Sequence, residues 1–442
     1  LIGTSTIAAA TGSGSTSTIN ATISGTGGLV FTNGASSRTV YIAGNNTYSG
    51  GTQLVSDVGA ASGSAFGTGV ITVASSSPKI TNTSAGSITL ANNITYSGTL
   101  AFGGSPIQIT GTVTGSGILR ASNGGTIDVS QQSTATMLST GVIDMGNNGV
   151  IKASSATNFG SLATILASGT GSGSTLQALG NTGSITQSVK IGATNNNPCN
   201  INVDTNGYAV TLAGVIQNLG SGTTGGLVKS GAGTLTLTNA NTYTGPTTVN
   251  VGGLVLNGSL AVGSNLSVAA AAWLGGTGTA AGVVTMSGTL SPGNSPGVIT
   301  LGSLVLTSTS VTAIEVASAG TRGTAYDGVS ILDASGLTYG GTMAFAFGAS
   351  AIADNATLDI FSFSGSAAGD FATLVSTGFY AGTWTNNSDG TFTFTKDSQT
   401  LTFRESTGDV IVVPEPGTAL LGVIGALAAL ASRRGMRRWP FV

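Results

Sequence analysis

The sequence predicts an all-β chain wound as a parallel β-helix, a solenoid, over residues 1–310. A small β module (311–412) and one short apolar transmembrane helix near the C-terminus follow. Three observations lead there: short alternating segments between Gly/Asn turns, an internal repeat, and a near absence of charge.

The charge comes first. Only 6% of the 442 residues are charged, against about 25% in an ordinary soluble domain. There are 71 glycines and no histidine. Hydrophobic residues make up 40% of the chain, and the mean hydropathy is positive. Enough apolar surface is present to fold, so disorder is not expected. Length alone suggests two or three domains. The net charge of −2 provides no basic field for nucleic acid.

The alternation is clearest in residues 231–260, GAGTLTLTNANTYTGPTTVNVGGLVLNGSL. Thr234 to Thr238 alternates polar and apolar, as a half-buried strand does. Asn239 to Asn241 and Gly245-Pro246 are turn chemistry. Thr247 to Val251 and Leu254 to Leu256 return to strand. No charged residue occurs from Ser230 to Ile314.

The same pattern occurs upstream. Residues 42–54 (IAGNNTYSGGTQL) align without gaps on residues 237–249 (LTNANTYTGPTTV). Asn46, Thr47, Tyr48, Gly50 and Thr52 match Asn241, Thr242, Tyr243, Gly245 and Thr247. Residues 92–100 (NNITYSGTL) hold a weaker third copy. Repeated short strands mean stacked rungs, because one rung cannot bury its apolar face alone. Neutral Ser/Thr/Asn ladders stack well, whereas like charges would repeat at every rung and repel. At roughly 20–25 residues per rung, residues 1–310 make about a dozen rungs. Stacked at about 4.8 Å, they form a rod on the order of 60 Å long.

Composition changes near residue 311. Four acidic residues precede it, ten fall between Glu315 and Asp409, and Glu415 is the last. Aromatic residues crowd the same region. TFTFTK (391–396) and TLTFRE (400–405) read as an antiparallel hairpin. A charged, aromatic-packed module would cover the last open rung.

The final thirty residues abandon the pattern. Val413, Pro414, Glu415 and Pro416 form a stiff stretch not expected to join a sheet. Ala419 to Ala431 is apolar and favours helix. Its length, about 20 Å, spans only a thinned bilayer. Arg433, Arg434, Arg437 and Arg438 follow as a basic stop cluster that stays cytoplasmic while the bulk is exported. A core helix is the plain alternative. This tripartite tail resembles a PEP-CTERM sorting signal. The resemblance implies recognition by an exosortase, a membrane transpeptidase that removes the tail. The protein would then pass to the surface or exopolysaccharide matrix of a Gram-negative cell, with its tail only transiently in the inner membrane.

Residues 231–258 resemble the autotransporter-associated β-strand repeat, and LSPGNSPG (290–297) is similar to the distal part of autotransporter passengers. That resemblance implies a right-handed β-helix. No series of roughly ten-residue membrane strands appears, so export directed by the tail is expected in place of self-secretion. The chain begins LIGTSTIAAA without Met; a removed signal peptide and a fragment both fit.

Chemistry-bearing residues are sparse. β-Helices host polysaccharide lyases and hydrolases, so an exported carbohydrate-active enzyme is the rival to a structural or adhesin-like role. A glycosidase needs two carboxylates about 5–10 Å apart. Asp57, Asp128, Asp144 and Asp204 are scattered singly, and only Asp128 with Asp144 on adjacent rungs could pair. Without His no Ser-His-Asp triad forms, and nothing activates Cys199. Asp327 and Asp333 could contribute to a calcium site or serve turns. Tyr48, Tyr96 and Tyr243 could stack on glycans from repeated positions, exopolysaccharide included, or pack over turns. No enzyme activity, cofactor or metal is expected.

Overall fold

The computed structural model describes residues 1–8, 17–32, 39–73, 77–169, 173–192 and 199–414. They form a three-faced coil of short parallel strands, with no α-helix among them. One face runs from Ser5–Ala8 to Val113–Gly115. It continues through an isolated bridge at Met137 and the 3-10 turn Ala156–Phe159. There Ala156 N–H donates to Thr182, next to the strands that run from Gly183–Ile185 to Gly382–Thr383. A second face runs from Ser17–Ile19 to Ile216–Asn218. The third has the longest path, 13 strands from Ile88–Leu90 to Phe361–Ser362. At 4.8 Å between neighbours that path alone measures about 58 Å.

Alternation dictates what each strand buries. On the third face Ile88, Ile107, Ile127, Ile151, Leu176 and Val203 stack in register. All point inward and none is more than 6% exposed. Each contributes about 1.5–3 kcal/mol by burial. The outward ladder one residue on reads Thr89, Gln108, Asp128, Lys152, Gln177, Asp204, Ser230. Opposite charges or neutral amides separate its carboxylates. Gln177 donates to Asp204 at 2.8 Å. Few charges and no like-charged neighbours are what in-register stacking tolerates.

Rung length varies more than expected. Successive positions are 18 residues apart at Leu266 and Val284 and 32 apart at Val329 and Phe361. The long rungs belong to the distal end, where the expected boundary at 311 does not mark a change of pairing. Strand Val311–Val316 pairs in parallel with Thr342–Phe347, and that strand with Thr373–Thr377. Acidic and aromatic residues accumulate here because wider rungs have a larger interior to fill and longer loops to solvate. The antiparallel sheet comprises Thr357–Asp359, Thr385–Asn386, Thr391–Lys396, Gln399–Arg404 and Asp409–Pro414. Its Phe403 packs among Tyr339, Phe345, Phe361 and Phe371 of the preceding coil, at 6.0–6.5 Å between ring centres. The hairpin expected at 391–405 is its centre.

Candidate functional site

The repeated Asn-x-Tyr-x-x-x-Thr pattern is the most distinctive polar constellation, and both full copies fold alike. Asn46 and Asn241 are buried at the corner of a rung. Each accepts from the preceding rung, from Ile23 N–H at 2.7 Å and Ile216 N–H at 2.9 Å. Each amide also donates to the following rung, to Ala65 O at 2.7 Å and Ser259 O at 3.2 Å. One asparagine therefore clamps three rungs. Tyr48 and Tyr243 enter the core, where their hydroxyls meet Thr52 Oγ1 at 2.5 Å and Thr247 Oγ1 at 2.6 Å. Thr247 in turn meets Ser264 Oγ at 2.8 Å. Burial pushes the Tyr243 phenol up to about 12, against its hydroxyl partners.

This geometry corrects the glycan-stacking expectation. Tyr48, Tyr96 and Tyr243 are at most 1% exposed, so no ring face is open to a sugar. Tyr96 is held by Ser139 Oγ at 2.6 Å. Tyr96 ends strand Ile94–Tyr96, whereas Tyr48 and Tyr243 sit in the turns before Thr52–Leu54 and Thr247–Val249; packing of the coil turns all three inward.

Asp128 and Asp144 do not come together as the expected pair. Asp128 belongs to the third face and Asp144 to the second. Asp144 is fully buried, 2.6 Å from Arg120 Nε, and accepts from Ser168. Burial raises its pKa, while Ser168 and Arg120 pull it down. The nearest carboxylate along the ladder from Asp128 is Asp204, three rungs on. That is about 14 Å, beyond the glycosidase range. Asp57 receives Lys79 N–H at 2.9 Å.

Asp327 is 1% exposed and accepts the backbone N–H groups of Gly297 and Glu315, each at 2.8 Å. Asp333 accepts the Ser303 hydroxyl at 2.6 Å. Both tie one rung to another. Cys199 is buried, and burial raises its thiol pKa.

Sequence reasoning missed Lys229. It occupies the inward aliphatic ladder, between Val203 and Val249, and is fully buried. Its ammonium donates to the carbonyls of Ser230 (2.9 Å), Gly231 (2.7 Å) and Val251 (2.9 Å). Burial lowers its pKa to about 8, and Asp204 acts in the opposite sense. The signal was present: in strand Gly225–Ser230, alternation from Leu227 puts Lys229 on the inner phase. Glu405, 5% exposed, accepts Phe371 N–H at 2.7 Å. Burial and neighbouring Asp370 push it up to about 7.

Of the sorting motif, Val413 and Pro414 lie in the described structure. Contrary to expectation they do join a sheet, opposite Thr400 and Gln399. Backbone bonds from the neighbouring segment reach Val412, through Ala356 O and Asn355 N–H, and among the described residues none is made to Pro414. Pro414 thus sits at an open edge, where a missing N–H costs nothing. Glu415, Pro416, the apolar stretch 419–431 and the four arginines lie outside the described residues. No helix among the described residues is long and apolar enough to cross a membrane.

No curated protein matches the chain. Two segments, residues 37–56 and 227–256, match the family model of the passenger-associated-transport-repeat. These segments contain the Asn46/Tyr48 and Asn241/Tyr243 clamps. Repeat and parallel coil together make the chain similar to an autotransporter passenger or surface protein.

Proposed function

We propose that this chain is an exported, non-enzymatic scaffold of the cell surface or extracellular matrix, wound right-handedly and sorted by its C-terminal tail. One observation carries the reading. The repeat turns its distinctive polar side chains inward to lock rungs together. Such a coil is a spacer and a display surface. In this reading the antiparallel sheet covers the last rung, with Phe403 seated among the final rings of the coil. Val413, Pro414, Glu415 and Pro416 are the exosortase recognition motif, residues 419–431 the transient membrane span, and Arg433, Arg434, Arg437 and Arg438 the cytoplasmic stop.

The test is mass spectrometry of the full chain recovered from the surface of an exosortase-bearing host. A new C-terminus near 414–416 that disappears when the exosortase is deleted supports the reading. An intact Val442 on extracellular protein refutes tail removal. Reducing ends or unsaturated products released from bacterial exopolysaccharides by the purified chain would refute the non-enzymatic role.

A further inference from the structure

Trp273, in strand Ala272–Gly276, points outward and is half-buried. Its register partner on the preceding rung is Gly253. The indole lies directly across that glycine: a Cβ there would fall 2.1 Å from Cε2 and Cζ2. Gly275, two residues along on the same face, would place a Cβ 3.2 Å from Cζ3. Two absent side chains thus let the indole lie flat on the sheet, with its opposite face turned from the backbone. The indole N–H makes no hydrogen bond among the described residues.

A groove of about 210 Å³ opens beside this ring, lined by Ser291, Asn294, Ser295 and Glu315 among others. It is smaller than the roughly 300–1,000 Å³ pockets that hold drug-sized ligands, which suits a single ring. The exposed Glu315 carboxylate is fixed by the Ser295 hydroxyl at 2.6 Å. Asn294 reaches Asn257 with one amide hydrogen at 3.1 Å and keeps a donor and an acceptor free. Asp327 lies below with its oxygens engaged by Gly297 and Glu315 N–H groups. No Lys or Arg lines the groove.

An electron-rich aromatic face attracts the polarised C–H groups of a sugar ring. A fixed carboxylate accepts from hydroxyls and repels an acidic sugar. We propose that this groove binds one ring of an uncharged polysaccharide, stacked on Trp273 and hydrogen-bonded to Glu315 and Asn294. The proposal deepens the scaffold reading and rests on it for the setting in which polysaccharide is met.

The test is affinity electrophoresis of the full chain through gels containing hydroxyethylcellulose, dextran or alginate. Retardation is expected in a neutral gel and not in alginate. It should weaken at least tenfold in Trp273→Ala and persist in Trp273→Phe. Because Trp273→Ala could disturb folding, the wild-type chain gives a second measure. The neutral polysaccharide that retards it should protect its tryptophan fluorescence from acrylamide. No retardation in either neutral gel, equal retardation in alginate, unchanged binding by Trp273→Ala, or no protection would each overturn the proposal. Each of those results leaves the tail-processing experiment untouched, so the two readings fail separately.

Discussion

Replacing Lys229 with methionine removes one buried charge from an otherwise aliphatic ladder, at little cost in volume. Two opposing effects follow at neutral pH. The carbonyls of Gly231 and Val251 lose their ammonium donor, at about 1–3 kcal/mol each. Against this, the charge no longer has to be held out of water. A pKa lowered from 10.5 to about 8 measures that penalty as roughly 3 kcal/mol. The two nearly offset, so the change at pH 7 is a poor test, and the pH dependence is the better one. Between pH 8 and 10.5 the unfolded chain holds the Lys229 proton more tightly than the folded chain does. Stability therefore rises with pH across that window. Below pH 8 both states are protonated and the slope vanishes. From pH 7 to 9.5 the wild type should gain about 2 kcal/mol relative to Lys229→Met. The raised phenols and thiol act alike in both proteins and cancel in the difference. Guanidinium unfolding of both full-length chains at pH 7.0, 8.5 and 9.5 reads it directly. A difference that stays constant across the three pH values would show that Lys229 is not a desolvated cation, and the argument would fail.

Other perturbations test other contacts. Burial pushes the Glu405 carboxyl from its ordinary 4.5 up to about 7. Its contribution is complete below pH 4.5 and is lost as pH rises through 7, roughly 3 kcal/mol in all. Hydrogen exchange in strands Thr391–Lys396 and Gln399–Arg404 should slow on going from pH 7.5 to 5, after correction for intrinsic rates, and Glu405→Gln should abolish the trend. Arg120→Met leaves the buried Asp144 without its cation and should destabilise the chain by about 3–5 kcal/mol, read as a lower guanidinium midpoint. Asn241→Ala strips the side-chain partner of Ile216 N–H, while Ser259 O keeps the backbone N–H of residue 241, and should cost about 1–3 kcal/mol. Tyr243→Phe, which loses one hydroxyl contact, should cost about 1 kcal/mol.

The stacked architecture was legible because repetition and local chemistry agree. Residues 42–54 and 237–249 share Asn, Tyr and Thr at the same offsets, and those offsets fix both a strand phase and a corner. The scarcity of charge was legible too, since like charges cannot repeat along a ladder. The distal boundary was not. The rise in aromatics and acids after residue 311 reflects longer rungs around a wider core, which composition cannot separate from a new fold. Pro414 was read as outside any sheet because its missing N–H argues against a central strand. Whether its side of the strand is open depends on where the neighbouring strand stops.

The sequence by itself determined the alternation, the turns and the demand that neighbouring coils stack, since these arise within a few residues of chain. Tertiary structure alone decided which alternate side chains point in. A strand has two faces, and register assigns one of them to the core. That choice sent Tyr96 and Lys229 inside and left Trp273 lying on the surface across Gly253.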